Sequence, residues 1–140
     1  MKGVSEDVTL LLIEDDDVDA QTIERSFEKH RIANPIVRAH DGVEGLEMLK
    51  GGAVAHPYVV LLDIQMPRMN GLAFLEELRS DPKLANTIVF VLTTSRDEKD
   101  IQASYTKNVA GYFVKEEAGD NFSNVVNLLQ GYWKIVQFSE

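Results

Sequence analysis

Tyr58-Val-Val-Leu-Leu-Asp-Ile-Gln-Met-Pro-Arg-Met-Asn-Gly71 decides the fold of this 140-residue chain. Tyr58 to Leu62 is a short, continuous apolar run, the pattern of a strand buried on both faces in a parallel sheet. It passes directly into Asp63, so one carboxylate closes a buried strand. The loop Ile64 to Asn70 then reaches Gly71, and Leu72 to Leu78 has the period of an amphipathic helix.

The same unit recurs on both sides of this stretch. Upstream, Thr9 to Ile13 ends in the acidic run Glu14 to Asp17, and Val18, Ile23 and Phe27 supply an apolar face to a following helix. Ile36 to Ala39, after the Asn34-Pro35 turn signal, is a second strand, and Val43 to Leu49 a second helix stopped by Gly51-Gly52. Downstream, Ile88 to Leu92 ends in Thr93-Thr94-Ser95, with a charged helix from Asp97 to Lys107 behind it. Gly111 to Val114 is the last strand and ends in Lys115. A closing helix from Asp120 to Tyr132 carries Phe122, Val125, Val126, Leu128 and Leu129 and runs on into Trp133 to Val136. Strands alternating with helices imply βαβ units on a parallel sheet: an α/β chain folded as one domain over residues 1–140.

Bulk properties exclude several functions. Fourteen basic against twenty-three acidic side chains give a formal charge of −9, which repels nucleic-acid phosphates and anionic lipid headgroups. The longest apolar runs are strand-sized and the N-terminus has no export signal, so a cytoplasmic location is expected. With no cysteine there is neither a disulfide framework nor thiol chemistry.

In an open parallel sheet the ligand site lies outside the carboxyl ends of the strands, where strand order reverses. Glu14, Asp15, Asp63, Thr93 and Lys115 all close strands and converge there. Three carboxylates packed together repel unless a cation neutralises them, and a hard divalent ion does this best. Mg²⁺ takes oxygen ligands, usually one or two carboxylates and several waters; Asp15 and Asp63 fit, with Glu14 acting through water. A carboxylate nucleophile can accept a phosphoryl group as an acyl phosphate if positive charge covers the equatorial oxygens, a role for the metal and Lys115, with Thr93 adding a hydrogen bond.

Glu14-Asp15, the Leu62 to Gly71 block, Leu92-Thr93 and Tyr112-Phe-Val-Lys115 together resemble the receiver domains of bacterial two-component response regulators over nearly the whole chain. The resemblance implies a flavodoxin-like (βα)5 doubly wound sheet of strand order 2-1-3-4-5, with no output domain. It implies phosphorylation of Asp63, a Mg²⁺ site (Mn²⁺ or Ca²⁺ substituting) of Glu14, Asp15, Asp63 and the main-chain carbonyl of Gln65, and switching through Thr93 and Tyr112. It implies a domain that catalyses its own phosphorylation from a sensor histidine kinase and is not a turnover enzyme. The closing Leu129 to Phe138 is similar to single-domain regulators paired with bacteriophytochromes. One departure stands out: relatives usually carry proline after the lysine, where this chain has Glu116, so a more mobile loop and a like-signed charge near the site are expected.

An acidic run after a strand commonly favours a helix N-terminus, and Asp16, Asp17 and Asp19 are assigned to that role. Thr94 reads as a bystander, Ser95 as a helix cap, and His30, His40 and His56 as surface residues. Tyr132, Trp133 and Phe138 can line the inner face of the last helix. Even so, the apolar surplus there, with Tyr105, Tyr112 and Phe122, predicts a homodimer through the fourth and fifth helix-strand face. An aspartyl-phosphate hydrolase needs a second Asp two residues after the nucleophile, and Gln65 stands there. A flavin domain needs a phosphate loop where the acidic run lies, and a phosphorylation-independent module has only Glu116 in its favour.

Overall fold

A computed structural model describes residues 8–66 and 68–138. Five parallel strands form one sheet in the order β2-β1-β3-β4-β5: β1 is Thr9–Ile13, β2 Ile36–Ala39, β3 Tyr58–Leu62, β4 Val89–Thr93 and β5 Gly111–Val114. Between them run α1 (Asp17–Lys29), α2 (Gly42–Lys50), α3 (Gly71–Ser80) and α4 (Glu98–Thr106), and α5 (Ser123–Ile135) closes the chain. The register pairs Ile13 with both Ala39 and Leu62, and Thr93 with Val114. The strands therefore finish at one level, and the residues that follow them share one edge.

Alternation sends each strand's side chains to two cores. Leu11, Ile13, Val60, Leu62 and Val91 pack with Leu46, Phe74, Leu75 and Leu78 from α2 and α3. Leu10, Leu12, Val59, Leu61 and Leu92 pack with Ile23, Phe27, Val126, Leu129 and Trp133 from α1 and α5. The strands are apolar throughout because both faces are covered. No helix among the described residues is long and apolar enough to cross a membrane.

Four helices begin on side-chain caps. Asp16, Asp41, Asn70 and Asp97 each accept a hydrogen bond from a first-turn backbone N–H, at Asp19, Glu44, Ala73 and Lys99 respectively. Asp16 thus has the helix role expected of it. Ser95 does not cap: its Oγ donates to Asp100 Oδ2 at 2.6 Å and accepts from Asp97 N–H.

Three helix-face expectations are corrected. Val18 is exposed, and the buried side of α1 is Ala20, Ile23, Ser26 and Phe27. The last helix starts at Ser123, because Asn121 and Phe122 hold left-handed φ values of 55° and 59°. Leu128 is exposed, whereas Trp133, at 1% exposure, is core and stands 6.1 Å from the Phe27 ring. Tyr132 meets Phe90 edge-on at 5.1 Å, and Phe138 packs partly on the same cluster. These aromatics mainly stabilise the fold; the large apolar side chains exposed on α4 and α5 are instead Tyr105, Leu128 and Ile135.

Candidate functional site

Strand order reverses between β1 and β3, since the chain leaves β1 for the edge strand β2 and returns to β3 on the other side. Glu14 follows β1 and is buried; Asp63 follows β3 and is 6% exposed. The Glu14 N–H is fixed by Ala39 O and the Asp63 N–H by Ile13 O, each at 3.0 Å, so both carboxylates leave the sheet from backbone still in the ladder.

Asp63 is held on both oxygens. Its Oδ1 accepts from the Thr93 hydroxyl at 2.8 Å and from the Gln65 backbone N–H at 2.9 Å, and its Oδ2 faces Lys115 Nζ at 3.1 Å. The loop behind it is pressed against the start of α3: a Cβ on Gly71 would lie 2.5 Å from Ile64 Cα, so only glycine admits this approach. Pro67 of this loop lies outside the described residues. The Gln65 side chain accepts from the Thr94 hydroxyl, so Thr94 takes part in the loop's bonding.

Lys115, half-buried, is the cation that reaches these carboxylates. Its Nζ lies 3.0 Å from Glu14 Oε1, 2.6 Å from Asp19 Oδ2 and 3.1 Å from Asp63 Oδ2. Burial alone would depress its pKa, but the Asp19 hydrogen bond and the Glu14 and Asp63 charges outweigh burial, and the net shift is upward. Glu14 moves the other way for an acid: burial first, then the Asp63 charge, push it up from 4.5 to about 8 against the pull of Lys115. Lys115 alone therefore leaves the acidic site under-neutralised.

Glu14, Asp15 and Asp63 bring carboxylate oxygens within 4.8 Å of one another, and Asp15 is exposed. An all-oxygen donor set with excess negative charge and one solvent-facing member fits a hard divalent cation that keeps its waters. The strand-end residues expected from sequence are thus assembled in one place. Tyr112, half-buried beside them, donates its hydroxyl to Ser95 O at 3.0 Å, linking β5 to the segment after Thr93.

Sequence reasoning missed three residues. Asp19 is more than a helix-end charge, because it is the nearest carboxylate to Lys115. Arg38, passed over on a strand that looked structural, reaches the Glu14 carbonyl. Arg96 pairs with Glu116 at 3.2 Å and Glu117 at 2.6 Å, so the charge of Glu116 is met outside the site and ties its loop to the segment after β4.

A doubly wound sheet with this carboxylate, threonine and lysine arrangement at its switch point defines a receiver-type signalling domain. Residues 10–127 match the response regulator receiver domain, and the chain belongs to that family. It is 31% identical over 127 residues to a probable methanogenesis regulatory protein, FilR2, of Methanothrix harundinacea, covering 89% of this chain and 82% of that one. It is 27% identical to the response regulator Rcp1 of Synechocystis, covering 89% and 87%. The Mn²⁺-bound structure of Rcp1 superposes with a TM-score of 0.82 at 26% identity, covering 94% of this chain and 99% of that one. The phosphorylated cyanobacterial phytochrome response regulator RcpA superposes with a TM-score of 0.74 at 30% identity, covering 89% of each. The flavodoxin-like fold, the response-regulator class, the likeness to phytochrome regulators and the suitability of the acidic cluster for a divalent metal all follow.

Proposed function

We propose that residues 1–140 are one receiver domain that takes a phosphoryl group from a kinase phosphohistidine onto Asp63 and signals by changing a binding surface. The observation that carries this is the fixed Asp63 carboxylate between Thr93 Oγ1 and Lys115 Nζ. A carboxylate oxygen attacks phosphorus, the bond to the imidazole nitrogen breaks, and its electron pair returns to the histidine, which takes up a proton. Lys115 exchanges its Asp63 contact for a phosphoryl oxygen, and the Thr93 hydroxyl turns to donate to another. Asp15, Asp63, the Gln65 carbonyl and, through water, Glu14 would hold a Mg²⁺, or Mn²⁺ or Ca²⁺ in its place, and the ion would supply the remaining neutralising charge.

Thr93 and Tyr112 carry the change outward. The Thr93 hydroxyl binds the nucleophile directly, and Tyr112 is bonded two residues further on, at Ser95. Movement of the segment after β4 therefore alters the α4–β5–α5 face, where Leu128 lines a groove of about 210 Å³ with Tyr112 and Phe113. A sensor histidine kinase of the bacteriophytochrome type in the cytoplasm is the proposed donor, supported by likeness to phytochrome regulators. A second copy of the chain is the proposed occupant of the exposed apolar face.

Incubation with acetyl phosphate and Mg²⁺, read by intact mass, tests the central claim. The wild-type chain gains one phosphoryl group; Asp63→Asn gains none. Labelling of Asp63→Asn to the wild-type extent refutes it.

A further inference from the structure

We infer that Arg38 is a positioning residue for the metal-binding loop, an inference that rests on the metal site proposed above. Arg38 lies on β2, whose other residues serve the sheet, yet its guanidinium turns across the strand end to the backbone of Glu14. Nε and Nη2 both donate to the Glu14 carbonyl oxygen, at 3.1 and 2.8 Å, and Nη1 donates to Asp17 Oδ1 at 2.8 Å. The side chain is 18% exposed, so the fork is packed in place.

The Glu14 carbonyl belongs to the peptide that joins Glu14 to Asp15. Two donors on that oxygen fix the peptide plane, and with it the direction in which Asp15 leaves the backbone. The Glu14 N–H is already tied to Ala39 O, and Glu14 Oε2 accepts from Asp16 N–H at 3.1 Å. Without Arg38 the carbonyl keeps no other side-chain donor among the described residues, and the run Glu14 to Asp17 would relax under its own repulsion. The third donor, to Asp17, draws one of those charges away from the metal side.

A lysine cannot substitute. Its ammonium is a point charge, whereas the planar fork reaches one carbonyl with two N–H groups while a third reaches a carboxylate. Partners that orient metal ligands typically contribute about 10- to 100-fold in metal affinity. Placing a cation near a metal has the opposite electrostatic sign, so the two roles are separable: loss of positioning weakens metal binding, and loss of mere charge strengthens it.

Mn²⁺ affinity, measured from the free-ion electron paramagnetic resonance signal, tests this in the wild type, Arg38→Ala and Arg38→Lys, with Asp15→Asn as the site control. Both Arg38 variants are expected to bind Mn²⁺ about tenfold more weakly. The Mg²⁺ concentration for half-maximal labelling rises by the same factor, and the rate at saturating Mg²⁺ falls less. Should Arg38→Ala not fold, as judged by circular dichroism, Arg38→Lys carries the comparison. Unchanged or tighter binding in a folded variant, Arg38→Lys included, overturns the inference while the metal site stands. A wild-type chain that binds Mn²⁺ no better than Asp15→Asn overturns both.

Discussion

Lys115 Nζ lies 2.6 Å from Asp19 Oδ2 and 3.1 Å from Asp63 Oδ2, so the ammonium is held more closely by a helix carboxylate than by Asp63, the proposed phosphoacceptor. In the proposed reaction, a phosphoryl group on Asp63 must draw Lys115 against this second anchor. The pair is a short charge-assisted bond with Asp19 about a quarter exposed, which discounts its net value for solvent. Asp19→Asn is expected to cost about 1 kcal/mol in the metal-free protein, lowering Tm by roughly 3–5 °C. Calorimetry in chelator checks it, and an unchanged Tm would show that Glu14 and Asp63 suffice to hold Lys115.

Gly71 sets the position of the loop that follows Asp63 by close approach. A methyl group there would meet Ile64 Cα at 2.5 Å, and that neighbour is backbone, which cannot swing aside. Gly71→Ala is expected to destabilise by about 1–3 kcal/mol through overpacking. Ile64 adjoins Asp63, so the labelling rate falls as well. Urea denaturation and phosphodonor labelling on one preparation test both; a stable variant labelled at the wild-type rate would show that the helix shifts without moving Asp63.

The strand ends were legible because each is a local event: an apolar run stops and a functional residue follows, as at Leu62-Asp63 and Val114-Lys115. Parallel strands in register then bring those residues together, so Glu14, Asp63, Thr93 and Lys115 needed no long-range knowledge beyond the fold. Asp19 and Arg38 did. Asp19 and Lys115 are 96 positions apart, and Arg38 contacts Glu14 from a neighbouring strand, so no spacing rule couples either pair. Helix phase was the other weak point. Leu128 is an apolar residue next to the core position Leu129, and a rotation of one residue, about 100°, moves it from core to solvent; Val18 lies two residues before Ala20, the first buried position of α1, and turns outward in the same way. Trp133 shows the converse, an aromatic read as surplus surface that instead fills the space between α5 and Phe27.

Glu14 gives the metal-free protein a distinctive pH dependence. Its pKa is raised from 4.5 to about 8, chiefly by burial and by Asp63, so the folded state keeps a proton that the unfolded chain releases. The stability this group contributes is fully present below about pH 4.5 and is lost as pH rises through about 8. In chelator, wild-type stability is expected to fall between pH 6 and 8.5 relative to Glu14→Gln, which carries no such proton; the comparison cancels the histidines that titrate in that range. Saturating Mg²⁺ stabilises the ionised carboxylate and flattens the difference. Parallel denaturation curves for wild type and Glu14→Gln at both pH values would contradict it.

The proposed self-association separates residues that hold the fold together from residues that can meet a second copy. Trp133 is 1% exposed, so Trp133→Ala is expected to cost about 3–5 kcal/mol, and its native fluorescence should resist iodide quenching at every protein concentration. Leu128 and Ile135 are 44% and 81% exposed on α5, and Glu at both should leave monomer stability within about 0.5 kcal/mol. Burying two carboxylates in an apolar interface is costly, so the double variant is expected to be a monomer at concentrations where the wild type is a dimer. Light scattering across a dilution series, with and without phosphodonor, decides the matter. A wild-type chain that stays monomeric at high micromolar concentration in both states removes the dimer from the proposed output and leaves the face to a partner of another kind.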